Sequence, residues 1–149
     1  MAEGLWGDYL RLLGRVTKAL EDLSAVEQEK TQAVARGDLP AVEACMKKEQ
    51  VASLNLRGLD QRREKILDQL DMKGVPLRDI MQYCPGGAEN ETRDAANALR
   101  RQYEIFQSVS QVSRHALEIN LHELEKMQKQ MNGGVPVQNI PPTQADFRA

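Results

Sequence analysis

The stretch Val34-Ala35-Arg36-Gly37-Asp38-Leu39-Pro40-Ala41-Val42 decides the fold. Gly37 suits the left-handed turn that follows a helix end. Asp38 is a good N-cap, and Pro40 sits in the first turn of a new helix, where its missing N–H costs nothing. A break of one or two residues between helices makes an antiparallel hairpin.

Upstream of the break, Leu5, Tyr9, Leu12, Val16, Leu20 and Leu23 recur at spacings of three and four, which puts them on one helical face. The pattern weakens at Glu27 and Lys30 and ends at Val34. Downstream, Val42, Cys45, Ala52, Leu56, Leu59, Ile66 and Leu70 make a second seam, interrupted by Glu49 and Arg63. These patterns predict helices over 4–36 and 39–73, the second ended by Gly74. Pro76 opens a short helix over 76–83, and Cys84-Pro85-Gly86-Gly87 breaks the chain again.

The longest helix is expected over 88–131. Its heptad a positions are Ala96, Tyr103, Ser110, Leu117, Leu124 and Met131, and its d positions Leu99, Phe106, Ser113, Asn120 and Met127. From Asn132 onward, Gly133, Gly134, Pro136, Pro141 and Pro142 among polar residues predict a flexible tail over 132–149. The expected architecture is therefore all-α. Three long helices form one elongated antiparallel, coiled-coil-like bundle over 1–131, with the short helix between the second and third.

Composition agrees with that choice and narrows the function. Aromatics are only 4% of the 149 residues, too few for a typical sheet protein. The 20 basic and 22 acidic residues leave a net charge of −2 and no basic block, so nucleic acid is not an expected partner. The opening Met-Ala-Glu-Gly-Leu-Trp lacks the pattern of a secretory signal, and no apolar run approaches the roughly 20 residues of a membrane span. Cys45 and Cys84 have no zinc spacing and no disulfide framework around them. A reducing cytoplasm is the expected compartment.

A rise of 1.5 Å per residue makes the three helices about 46, 52 and 66 Å long. The third runs parallel to the first and should overshoot the Gly37 hairpin from about Asn120 onward. It also carries a second apolar stripe: Ile105, Val109, Val112, Ala116 and Ile119, centred roughly 100° from the a/d seam. Two accounts fit it. A helix touching two neighbours needs two apolar faces; alternatively, the stripe receives a detachable partner helix. Residues 105–113 contain no charge, which suits an interface.

Other constellations have structural readings. Trp6 and Leu10 lie off the first seam and are expected to pack on the 76–83 helix, with a dimer contact as the alternative. His115, Glu118, His122 and Glu125 resemble a metal-ligating pattern, but both histidines fall at the outermost heptad position, so no metal and no cofactor are expected. Facing residues of the hairpin should have numbers summing to about 75, which sets Glu49 beside Glu27 and Lys30, and Arg63 beside Asp8 and Leu12. Ion pairs that fix register account for them. No nucleophile elbow, phosphate loop or pair of inward acids appears, so the chain reads as a non-enzyme.

A long first helix, then GDLPAVEACMKKEQVASLNLRGLDQRREKIL, then a last helix with SRHALEINLHELEKM, resembles the FlgN family of flagellar type III export chaperones. The matching features are Lys48-Glu49, the leucines up to Leu59, Arg62 and Arg63, and Asn120 followed by leucines, within about residues 5–131. The resemblance implies a cytosolic chaperone for hook–filament junction proteins of the FlgK and FlgL type. It would grip the client's C-terminal helical region and hand it to the export apparatus, with the export-gate membrane protein as a further partner. The family grips through its own C-terminal part, which maps the site onto Ile105, Val109, Val112, Ala116, Ile119, Leu121 and Leu124. One feature departs from the family. Many members carry a tail tyrosine for docking to the gate, whereas no tyrosine follows Tyr103 here and Phe147 is the tail's only aromatic. A rival of another class is a structural coiled-coil adaptor, a homodimer or larger homo-oligomer joined through the same stripe.

Overall fold

A computed structural model describes residues 2–131, with side chains from residue 4 onward. The expected tail over 132–149, Phe147 included, lies outside the described residues. The order is α1 (Ala2–Arg36), α2 (Leu39–Gln69), a 3-10 helix (Leu77–Tyr83) and α3 (Glu89–Met131). The fold is all-α, three long helices packed on one another in an elongated bundle.

The hairpin forms as its sequence requires. Gly37 takes a φ of 68°, its N–H bonds the Val34 carbonyl at 3.1 Å, and the next N–H, from Asp38, bonds Ala33 at 3.0 Å. That paired closure satisfies two carbonyls orphaned at the end of α1. Asp38 Oδ1 then accepts from the Ala41 N–H at 3.1 Å and caps α2.

α2 stops short of the expected Lys73. The left-handed residue is Asp71, at φ 59°, and the same paired closure runs from Asp71 to Asp68 and from Met72 to Leu67. The physical reason is apolar. Leu67 and Met72, the residues flanking the turn, are each 3% exposed, so closing the helix here buries both. Gly74, also at positive φ, lies in the loop beyond.

α1 is the middle of the bundle. It packs along both α2 and α3, whereas no Cα of α2 comes within 8 Å of one in α3. Hence α1 buries two adjacent faces and α2 only a narrow seam, of which Cys45, Leu59 and Leu67 are buried. The 3-10 helix sits against α3 at the far end from the hairpin. Its Ile80 is fully buried in one cluster with Trp6, Tyr9, Leu13, Leu67 and Met72. Trp6 thus takes the expected core position, and its Nε1 donates to Thr92 Oγ1 at 2.9 Å.

Candidate functional site

Trp6 bonds Thr92 and Glu27 stands beside Ser113, so α1 and α3 run in register with a constant offset of 86 residues. Arg36, the last residue of α1, therefore lies level with His122. The segment Glu123–Met131 projects about 13 Å past the hairpin. Leu124, Met127 and Met131 are exposed on it, 48%, 55% and 83% respectively, because the α1 surface that would cover this seam has ended.

The second stripe of α3 is not core. Ile105, Val112 and Ile119 are 42%, 58% and 51% exposed, and Val109 and Ala116 are half-buried at its edge. α3 meets α1 through its a/d seam and the 3-10 helix near its start, and α2 stays apart. The account in which the stripe serves a second neighbouring helix therefore does not hold among the described residues. The five residues form an open apolar strip about 21 Å long, four turns of helix.

The other two residues of the expected site do not extend it. At 100° per residue, Leu121 points about 160° away from the stripe, and Leu124 continues the seam. Both are exposed, yet the stripe itself ends at Ile119, since Glu123 occupies its next turn. The described surface thus has two apolar strips: the stripe from Ile105 to Ile119 and the bare seam end from Leu124 to Met131. Other exposed apolar residues that the seam pattern overlooked are Met46, Val51 and Leu54 on α2.

Beside the stripe's level lies a buried polar layer. The apparent weakening of the first seam at Glu27 and Lys30 is no gap, for the two residues are only 6% and 8% exposed. Lys30 Nζ donates to Glu49 Oε2 at 2.7 Å and lies 3.3 Å from Glu27 Oε2. Lys48 pairs with Glu29 at 3.2 Å in the same register. Two carboxylates share one ammonium, so one of them is under-compensated. Burial, and then the Glu27 carboxylate, push Glu49 up to about 7, while Lys30 pulls the other way. For Glu27 burial is again the largest influence and raises the pKa. The neighbouring Glu49 and Ser113 side chains and the charge of Lys30 outweigh it and hold the pKa below the ordinary value.

Glu49 thus stands where the hairpin register predicts, but Arg63 differs in its partners. It bonds Asp60 on its own helix at 2.9 Å and lies near the Tyr9 hydroxyl, not Asp8, which pairs with Arg11. Burial raises the Tyr9 pKa, and the Arg63 charge opposes the rise. Tyr9 Oη, Ser24 Oγ and Ser113 Oγ are buried with no hydrogen-bond partner among the described residues.

His115, Glu118 and His122 are exposed on α3 and Glu125 is half-buried, and among the described residues no three His, Cys, Asp or Glu side chains gather as a metal site. Cys45 is buried and Cys84 half-buried; both are free thiols. Among the described residues no helix is long and apolar enough to cross a membrane. No protein-family model, no curated protein and no solved structure matches the chain.

Proposed function

We propose that this chain is a cytoplasmic export chaperone of the flagellar type III kind, binding the C-terminal helical region of hook–filament junction proteins. The observation that carries the reading is the uncovered, charge-free stripe on α3. A client's amphipathic helix would lay its apolar face on Ile105, Val109, Val112, Ala116 and Ile119, replacing the contact it makes after assembly. The bare seam end at Leu124, Met127 and Met131 would engage the client's next turns. Release before export calls for micromolar or sub-micromolar affinity rather than permanent binding. No catalytic chemistry enters this reading; delivery would run through the export gate's membrane protein.

The test is calorimetric titration of the chain with the C-terminal helical segment of a junction protein, for the parent and Val112→Asp. Val112 is exposed, so the substitution should change folding stability by no more than about 0.5 kcal/mol and leave helicity intact. Client binding should be lost. Unfolding of the variant, or undiminished binding, would remove the stripe as the site. Light scattering addresses the adaptor reading: a concentration-independent dimer that Val112→Asp dissociates would mean the stripe serves a second copy of this chain.

A further inference from the structure

The α1–α2 interface carries a shallow cleft towards each end, and the two differ in how their charges are answered. Near the hairpin, a cleft of about 280 Å³ has its cations paired: Lys48 with Glu29 at 3.2 Å, Arg36 with Asp38 at 3.9 Å. At the opposite end a cleft of about 370 Å³ is walled by Arg11, Arg15, Arg62 and Lys65, against the single carboxylate of Asp8. Asp8 pairs with Arg11. Among the described residues no carboxylate comes within 4.0 Å of Arg15, Arg62 or Lys65.

The sequence makes this imbalance systematic. One turn either side of Arg15 stand Arg11, Leu12, Lys18 and Ala19; around Arg62 stand Gly58, Leu59, Lys65 and Ile66. Neither arginine has an acid within helical reach, and like charges at such spacings weaken a helix. In a chain of net charge −2 with acids in surplus, four cations collected at one cleft are an expense that the fold does not require.

We infer that this cleft binds an acidic helical segment of a partner protein. The register sets Arg15 opposite Arg62 and Arg11 opposite Lys65, two cationic rungs about 5 Å apart along the axis. That spacing matches carboxylates one turn apart, at i and i+4, on a helix lying along the cleft. Half-buried Ile66, with Leu12 beneath it, gives the partner's intervening apolar side chain a floor. A lone phosphate would use one rung and no floor. The stripe on α3 is centred level with Val26 of α1, about 21 Å along the bundle from Leu12, so the acidic partner and a client can be held together.

The experiment uses the full chain and a labelled helical peptide about three turns long, with glutamates at i and i+4 and one leucine on the same face, read by fluorescence anisotropy. Binding is expected, weakening as salt rises. Arg15→Glu with Arg62→Glu should cost about tenfold in affinity, while Arg100→Glu with Arg101→Glu, an equal charge change on α3, should cost less than about twofold. The first pair should also leave the melting temperature unchanged or higher, since it places a carboxylate between Arg11 and Lys18. Failure of the peptide to bind, an equal loss in both pairs, or a fall in melting temperature on removing the two arginines would overturn the inference. Displacement of the peptide by equimolar inorganic phosphate, or by phosphatidylglycerol vesicles, would overturn it in favour of a phosphate or membrane site. The outcome is independent of Val112→Asp, so this site and the client stripe fail or stand separately.

Discussion

The two halves of the bundle are held together by different means. At the end remote from the hairpin, Trp6, Tyr9 and Leu13 meet Leu67, Met72 and Ile80 in a dry cluster, closed over by the 3-10 helix. Towards the hairpin, α1 buries Ser24, Glu27 and Lys30; Glu49 of α2 answers Lys30, and Ser113 of α3 lies beside Glu27. Apolar burial is non-directional and strong, so the dry end supplies stability. A buried ion cluster gains little net energy over an apolar one, but removing one of its partners is costly. The contrast teaches why α3 is bare where it is. The dry end anchors all three helices, and in the polar half Lys30 ties α2 to α1 through Glu49, so neither α2 nor α3 has to cover the other.

The largest expected effect breaks the dry end. Trp6 is 3% exposed, and Trp6→Ala removes its bulk and the bond to Thr92, which should cost about 3–5 kcal/mol in denaturant unfolding. A loss under about 1.5 kcal/mol would mean that stability is spread evenly along the bundle. Next comes the polar layer. Lys30→Met keeps the stem but strands two carboxylates, and should cost about 3 kcal/mol at neutral pH. Replacing Glu27, Lys30 and Glu49 together by Leu, Met and Leu should be close to neutral, because no buried charge is then left alone. If the triple replacement is as damaging as the single one, the layer contributes stability itself.

How much of this was legible in the sequence follows the same division. Gly37, Asp38 and Pro40 act through local backbone geometry, so the hairpin and its cap could be read residue by residue. The a/d seam of α3 could be read too, since periodicity is a local signal, except at Tyr103, an a position that is 51% exposed. The end of α2 could not. Gly74 has the better local credentials for the turn, and Asp71 takes it because burying Leu67 with Met72 outweighs the roughly 1 kcal/mol that a left-handed non-glycine residue costs. The burial of Glu27 and Lys30 was equally hidden, because charge on a seam looks like a gap until its partner is in view. Glu49 was the available clue, through the hairpin's register. For the site, the stripe's existence was a matter of spacing. Its exposure depended on α2 standing away from α3, which no pattern within α3 encodes. Leu121 rests on the resemblance alone, and it lies on the opposite side of α3 from the stripe.

The smallest effect concerns pH. Glu49 ionises near 7 in the folded chain against an ordinary value of 4.5, so the folded state holds this proton more tightly than the unfolded one. Its contribution to stability is therefore fully present below about 4.5 and is lost as pH rises through about 7. Glu27 has the opposite sign: its lowered pKa contributes stability present above 4.5 and lost as pH falls through its folded value. Stability should then be greatest on the acid side of neutrality, falling by about 1 kcal/mol between roughly pH 5 and pH 7, since Glu49 keeps some contact with water that screens the full shift. Glu49→Gln carries the amide in place of the protonated acid, and should flatten that limb while leaving the loss below 4.5. The one shifted group of the dry end, Tyr9, titrates on the alkaline side, so Trp6→Ala should lower the curve from acid to neutral pH without changing its shape there. A limb that persists in Glu49→Gln would put the titrating proton elsewhere and remove the polar layer's claim to it.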